Sequence, residues 1–107
     1  MCALEFAEIE AAHAAAGRLY HEFLREPSLS VGLYVLPAGG TDPQSPHDQD
    51  EVYYVLRGHG QISVAGETRA VGPGSVVFVG TRVEHRFSDI TEELALLVFF
   101  APAESEC

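Results

Sequence analysis

The stretch SPHDQDEVYYVLRG, residues 45–58, decides the fold of this chain. It opens as a polar loop containing proline and continues into a run rich in valine and tyrosine, residue types that favour β-strands. Because successive side chains of a strand point to opposite faces, Glu51, Tyr53 and Val55 share one face. A carboxylate in an apolar interior is unfavourable unless a metal or another positive charge compensates it. The stretch therefore predicts a strand that carries a functional carboxylate.

Two histidines favour a metal as the compensating charge. His47 precedes Glu51 by four residues at the junction of loop and strand, so both side chains can converge, and His85 lies in a second β-like run. Two neutral imidazoles and one carboxylate suit Fe(II), Mn(II), Ni(II), Cu(II) or Zn(II). Arg82 or Arg86 is the alternative partner for Glu51. We expect one divalent transition metal per chain.

Outward from this stretch the sequence predicts one helix, Leu4–Ala16 ended by Gly17, followed by short strands separated by glycine and proline. The predicted strands are Arg18–Arg25, Ser30–Leu36, Glu51–Leu56, Gln61–Val64, Thr68–Val71, Ser75–Val79, Val83–Ser88 and Leu94–Phe100, with a turn at Arg57–Gly60. Such a pattern indicates an all-β sandwich or barrel. We assign residues 1–17 to an N-terminal helical segment and residues 18–107 to a single β-barrel domain.

Composition excludes several classes of partner. The chain has 107 residues and a net charge of −10 without a run of basic residues, which disfavours nucleic acid. The longest apolar run, Leu94 to Pro102, is too short to cross a membrane, and Met1 to Ala16 lacks the basic start of a signal peptide. We expect a cytoplasmic protein. Leu94–Phe100 is apolar at both parities, which predicts a strand covered on one face by the core and on the other by a partner chain or the helix.

Two spaced motifs carry a family resemblance. They read Gly39-x5-Ser45-x-His47-x3-Glu51-x6-Gly58 and Gly74-x5-Gly80-x-Arg82-x2-His85-x3-Asp89. These spacings resemble the two motifs of cupins, over roughly residues 30 to 100. The resemblance implies an antiparallel, jelly-roll-like cupin β-barrel with a metal inside its mouth. Small cupins commonly dimerise, so it also implies a homodimer.

One departure from the cupin pattern changes the expected ligand set. Ser45 stands where the first motif normally has a histidine. Gln44 is one replacement, because some short cupins resembling this one carry a Gln-x-Pro-His arrangement. Ser45 or water is another, which leaves His47, Glu51 and His85 as a set with open positions. In the third interpretation the metal is lost and the barrel simply binds a ligand.

Other polar residues near the site have simpler interpretations. Tyr53 is a candidate catalytic residue that donates a hydrogen bond to substrate, or else a core aromatic residue. Asp48 and Asp50 are expected to be loop residues rather than ligands, and His59 is expected to be exposed to solvent.

Three functions remain open from the sequence. The first is a metal-dependent enzyme, dioxygenase-like or isomerase-like, acting on a small organic substrate that is aromatic or weakly charged. The second is a non-catalytic small-molecule-binding or sensing module, and the third is a structural dimer with a vestigial site. None of the three involves nucleic acid or a membrane.

Overall fold

The computed structural model describes residues 1–43 and 46–104, and the helix and strands predicted from the sequence lie within these ranges. The elements are α1 (Phe6–Ala16), β1 (Tyr20–Glu26), β2 (Leu29–Leu36), β3 (Asp50–Val64), β4 (Glu67–Val71), β5 (Val76–Val79) and β6 (His85–Ala101). Every strand pairing is antiparallel. The prediction of an all-β antiparallel fold with one short N-terminal helix is confirmed.

Strands β3 and β6 form a long two-stranded ribbon that joins the two halves of the molecule. Glu51 lies opposite Phe100 at one end of the ribbon, and Val64 lies opposite His85 at the other. The first half of β3 also pairs with β5, and its second half pairs with β4. Beyond β6 the sheet continues through β2 to β1. The ribbon therefore forms the centre of the six-stranded sheet, with β2 on one side and β4 and β5 on the other.

The predicted turn at Arg57–Gly60 is wrong, because β3 runs through it without a break. The ladder between β3 and β6 shifts register three times between Val55 and Gln61. Gly58 has a positive φ of 94°, and a Cβ atom there would collide with the carbonyl group of Glu93. Glycine and bulges thus bend the strand while its pairing continues. The two strands predicted at Val83–Ser88 and Leu94–Phe100 likewise form one strand, β6, bent at Asp89, where φ is 46°.

The apolar side chains form two cores on opposite sides of the sheet. The larger one fills the barrel and includes Tyr53, Phe87 and Phe100. The smaller one lies under α1, where Ile9 packs with Leu33 and Ala95. The helix ends at Gly17, which has a left-handed conformation and donates a backbone hydrogen bond to the carbonyl of His13. The prediction that the last strand is covered on both faces is confirmed, and α1 covers the outer face.

The helical content also bears on membrane insertion. In residues 1–43 and 46–104, no helix is long and apolar enough to cross a membrane.

Candidate metal centre

Three separate elements bring His47, Glu51 and His85 together. His47 lies in the loop between β2 and β3, Glu51 is the second residue of β3, and His85 is the first residue of β6. One ligand atom from each residue lies within 4.8 Å of the other two. His85 Nε2 is 2.8 Å from Glu51 Oε1, and both side chains are only 1% exposed. The strand parity that placed Glu51 and Tyr53 on the inner face is confirmed by their burial.

The outward nitrogens of both imidazole rings already have acceptors. His85 Nδ1 lies 2.8 Å from the carbonyl oxygen of Val83, which can only accept, so Nδ1 donates. His47 Nδ1 lies 3.3 Å from Glu104 Oε2. Both rings therefore direct Nε2 towards the interior of the cluster.

The atoms that face the interior of the cluster lack hydrogen-bond partners. His47 Nε2, His85 Nε2 and Glu51 Oε2 are buried without a hydrogen-bonding partner in the part of the chain that the structure describes. His85 Nε2 and Glu51 Oε1 are close enough for an ion pair, but the two groups are not oriented for a hydrogen bond. Leaving three such atoms buried and unsatisfied is unfavourable by about 1–3 kcal/mol for each atom.

A divalent metal fits this arrangement. Two imidazole nitrogens and a carboxylate oxygen converge with open lone pairs, which is the donor set that transition metals prefer. The alternative prediction that Arg82 is the partner of Glu51 is wrong, because Arg82 Nη2 lies 2.9 Å from Asp48 Oδ1 on the surface. The ion-pair partner of Glu51 within the described ranges is His85.

The two histidines have pKa values shifted in opposite directions. Burial lowers the pKa of His47, and repulsion from His85 lowers it further, against the attraction of Glu51. Burial also opposes protonation of His85, but Glu51 and the Val83 carbonyl outweigh it and raise the pKa of His85. A metal must displace any proton from His85 Nε2, so protons and metal compete for the same nitrogen.

The remaining predicted site residues have different outcomes. Tyr53 is buried with its ring centroid 5.9 Å from that of His85, and it packs edge-on against Phe87. Its catalytic role stays a prediction. Gln44, predicted as a fourth ligand, and the competing Ser45 lie outside the described residues.

Of the two expected loop residues, Asp48 lies in the loop, whereas Asp50 is the first residue of β3. Asp50 Oδ1 accepts hydrogen bonds from the backbone and side chain of Thr81, and Asp48 pairs with Arg82. His59 is exposed, although it lies within β3 and not in a turn.

A cavity of about 220 Å³ opens beside His47. Its walls are mostly apolar and aromatic. They are formed by Leu19, Tyr20, Tyr34, Pro43, His47, Val98, Phe100 and Glu104. The Tyr20 ring packs edge-on against Tyr34 and Phe100, at centroid distances of 6.1 and 6.3 Å. Among the three residues of the candidate metal centre, His47 lines this cavity.

Three residues around the site were not identified from the sequence. Tyr20 and Glu104 line the cavity from β1 and from the segment after β6. Asp42 is buried and accepts hydrogen bonds from the Tyr34 hydroxyl at 2.6 Å and the Phe87 backbone N–H at 2.9 Å. Asp42 is close in sequence to the polar loop that carries His47, and this position could have identified it as a residue near the site. Glu104 had none, because its contact spans the whole barrel.

Comparisons with known proteins agree with this geometry. The family model described as "Cupin domain" matches residues 32–101. An uncharacterized protein of Streptomyces coelicolor is 51% identical over 105 residues, which cover 98% of this chain and all of that protein. The match extends well beyond the motifs, so it includes the N-terminal helix.

Solved structures show the same fold at low sequence identity. An RmlC-like cupin from Shewanella frigidimarina is 21% identical with a TM-score of 0.72, over 78% of this chain and 75% of that one. The DMSP lyase DddQ from Ruegeria pomeroyi is 22% identical with a TM-score of 0.71, over 94% and 66% of the two chains. KdgF from a Halomonas species is 19% identical with a TM-score of 0.71, over 78% and 76%. At these identities the likeness concerns the fold alone.

Proposed function

The chain belongs to the cupin domain family, and from this premise we propose that it is a metal-dependent enzyme acting on a small organic molecule. One divalent transition metal would be held by His47, Glu51 and His85, with the cavity beside His47 receiving the substrate. The observation that supports this proposal is the convergence of three buried ligand atoms that lack hydrogen-bond partners. The structural neighbours include a protein named as a lyase and one named as a putative mannose-6-phosphate isomerase, so proteins of this fold carry names of more than one reaction class.

The chemistry of the site divides between the metal and the cavity wall. A bound divalent ion would supply a Lewis acid that polarises an oxygen of the substrate. Val98 and Phe100 exclude water from the inner wall of the cavity. The Tyr20 hydroxyl is buried without a hydrogen-bond partner in the described residues, and burial raises its pKa above the ordinary value. Tyr20 therefore stays protonated and offers a hydrogen-bond donor at the wall.

The charges around the cavity favour a substrate that is not anionic. All six positively charged residues of the chain are arginines, and none of them lines the cavity. Arg25 bonds to Glu22 and to the backbone of Glu104. Glu104 is the charged residue in the wall. A phosphate or carboxylate group in the outer cavity would face this carboxylate without a guanidinium partner, so we propose an uncharged or positively charged substrate with an apolar body.

Metal analysis of the purified protein tests the proposal directly. We expect about one divalent ion per chain by elemental analysis, and loss of binding in His47→Ala and His85→Ala. His59→Ala is the matched control, because His59 also contacts a glutamate but lies on the surface. A wild-type protein that stays empty after reconstitution with each candidate metal would refute the proposal.

Substrate class is tested with three ligands of one shape. Benzyl alcohol, benzylamine and benzoate differ mainly in charge, and binding is followed through the NMR signals of Tyr20 and Phe100. We expect benzoate to bind the metal-loaded protein most weakly. Tightest binding by benzoate contradicts the assignment. Oxygen uptake with phenolic and thiol compounds then tests whether the enzyme is a dioxygenase. A metal-loaded protein that binds ligands but converts none of them would support a sensing module instead.

We also propose a homodimer, formed through β5. Within the described residues this strand pairs with β3 alone, which leaves its other edge open. Val76 and Phe78 on β5 are 67% and 63% exposed. An open edge bearing large apolar side chains favours pairing with a second copy. Sedimentation should show a dimer that Phe78→Ser weakens, and a wild-type protein that is monomeric at all concentrations contradicts this.

A further inference from the structure

The backbone of the segment that follows β6 is held against the start of the sheet by three hydrogen bonds, two of them to side chains. The Glu104 N–H donates to Ser30 Oγ at 2.9 Å, and Ser30 is fully buried. The guanidinium of Arg25 donates to the Glu104 carbonyl at 2.7 Å. The Ala103 N–H donates to the carbonyl of Pro27 at 3.3 Å. The backbone of Glu104 is therefore held in one place although the residue follows the last strand.

This anchoring brings the Glu104 carboxylate to the outer nitrogen of His47. Glu104 Oε2 lies 3.3 Å from His47 Nδ1, which is an ion-pair contact slightly longer than the usual N–H···O range of about 2.7–3.2 Å, and the two side chains are 26% and 21% exposed. A carboxylate only accepts, and a neutral imidazole carries one N–H. The contact therefore favours the tautomer with the proton on Nδ1 and the lone pair on Nε2, which is the buried nitrogen without a partner.

We propose that Glu104 is a positioning residue that fixes the tautomer and ring orientation of His47, so that Nε2 is presented to Glu51 and His85. The inference rests on the proposed function, because that presentation serves a metal. Val83 does the same for His85 through its carbonyl oxygen. The two histidines thus have two different outer acceptors, one neutral and one charged.

A second histidine–glutamate pair provides a matched comparison. His59 Nδ1 lies 3.1 Å from Glu92 Oε1, but these side chains are 54% and 68% exposed, and His59 does not belong to the ligand cluster. In water such a pair holds neither ring orientation nor tautomer firmly. Glu92→Ala is therefore the control for Glu104→Ala, since each removes one carboxylate from one imidazole.

The first experiment reads the tautomer of His47 in the full-length protein after chelation, with ¹⁵N-labelled imidazole rings. It is done near pH 8, above the ordinary histidine pKa of about 6.5. We expect the wild type to carry its proton on Nδ1, and Glu104→Ala to shift it towards Nε2. Glu104→Gln should preserve the wild-type tautomer, because its amide oxygen also accepts. Glu92→Ala should leave His47 unchanged. An unchanged His47 tautomer in Glu104→Ala overturns the proposal, whatever the variant does to stability.

The second experiment measures the affinity for the metal that the wild type binds. Glu104→Ala should weaken binding about 10- to 100-fold, Glu104→Gln should weaken it less, and Glu92→Ala should have no effect. Equal affinities for the wild type and Glu104→Ala overturn the positioning role. A wild type that binds no divalent metal refutes the proposed function instead, while the tautomer of the metal-free protein still decides whether Glu104 orients His47.

Discussion

Replacing Asp42 with alanine should lower the free energy of unfolding by about 3 kcal/mol. Asp42 is only 2% exposed, and its carboxylate accepts hydrogen bonds from the Tyr34 hydroxyl and the Phe87 N–H. A hydrogen bond to a charged group contributes about 1.5–3 kcal/mol, so two give about 3–6 kcal/mol. Removing a buried charge regains part of its desolvation energy, which places the net loss near the lower limit. For a domain of this size the melting temperature should fall by about 12 °C.

The substitution Asp42→Asn separates shape from charge. Its amide oxygen can accept from the Phe87 N–H while its amide nitrogen donates to the Tyr34 oxygen, so both contacts remain and only the Tyr34 O–H loses its acceptor. We expect a loss of about 1 kcal/mol. Tyr34→Phe combined with Asp42→Ala should cost less than the sum of the single changes, because the alanine has already removed the acceptor of the hydroxyl.

Urea unfolding followed by circular dichroism measures these differences through the shift of the midpoint at constant slope. Two results would contradict the assigned role of Asp42: a loss of less than about 1 kcal/mol in Asp42→Ala, or an Asp42→Asn variant that is as unstable as the alanine variant. Either result would mean that the two hydrogen bonds do not hold the loop against the barrel.

Three further predictions concern the cavity, the metal and alkaline pH. Gly32→Ala should destabilise the protein by about 2 kcal/mol in urea unfolding, because the new methyl group overlaps the Tyr20 ring. The control is Gly80→Ala, whose methyl group makes an ordinary contact with Val83 and should change stability by less than about 0.5 kcal/mol. A metal present at 100 times its Kd should raise the free energy of unfolding by about 2.7 kcal/mol in thermal melts, and Glu51→Gln should abolish this gain; an equal gain in both proteins contradicts the site. Burial raises the pKa of Tyr20 and Tyr34, and the hydrogen bond to Asp42 raises that of Tyr34 further. Above a pH of about 10 the unfolded state therefore releases protons that the folded state keeps, so the free energy of unfolding should fall as the pH rises. Tyr34→Phe should show a shallower fall, and equal pH slopes in the two proteins would contradict this.

The sequence predicted the strands and the convergence of His47, Glu51 and His85 more reliably than it predicted the bends. Alternation along Glu51–Val55 is a local property, and it fixed which side chains point inward. Gly58 is compatible both with a turn and with a bulge in a continuous strand, and only the pairing of β3 with β6 decides between them. For the same reason, the sequence predicted two strands where the structure has one strand, β6, that bends at Asp89. Local composition cannot reveal whether a glycine ends a strand or bends it.

The site was predictable where ligands follow motif spacing and unpredictable where contacts join distant segments. His47 and His85 are identified by their place relative to Glu51 and to the turns. Glu104 and Tyr20 reach the cavity from opposite ends of the chain, and their neighbourhood follows from the order of the strands in the sheet. Asp42 lies between these cases, because it is close to the loop in sequence but bonds to β6.

The long ribbon of β3 and β6 has a consequence for conformational entropy. Val64 lies thirteen positions after Glu51 along β3, which is a distance of about 43 Å for a straight strand. The longest dimension of the protein is only 38 Å, and the Glu51 and His85 side chains meet at 2.8 Å. The ribbon is therefore folded back until its two ends touch at the ligands. An ion bound there would hold the two ends of the ribbon together, so metal loading should slow amide hydrogen exchange most at the bend around Gly58 and Asp89, although neither residue is a candidate ligand.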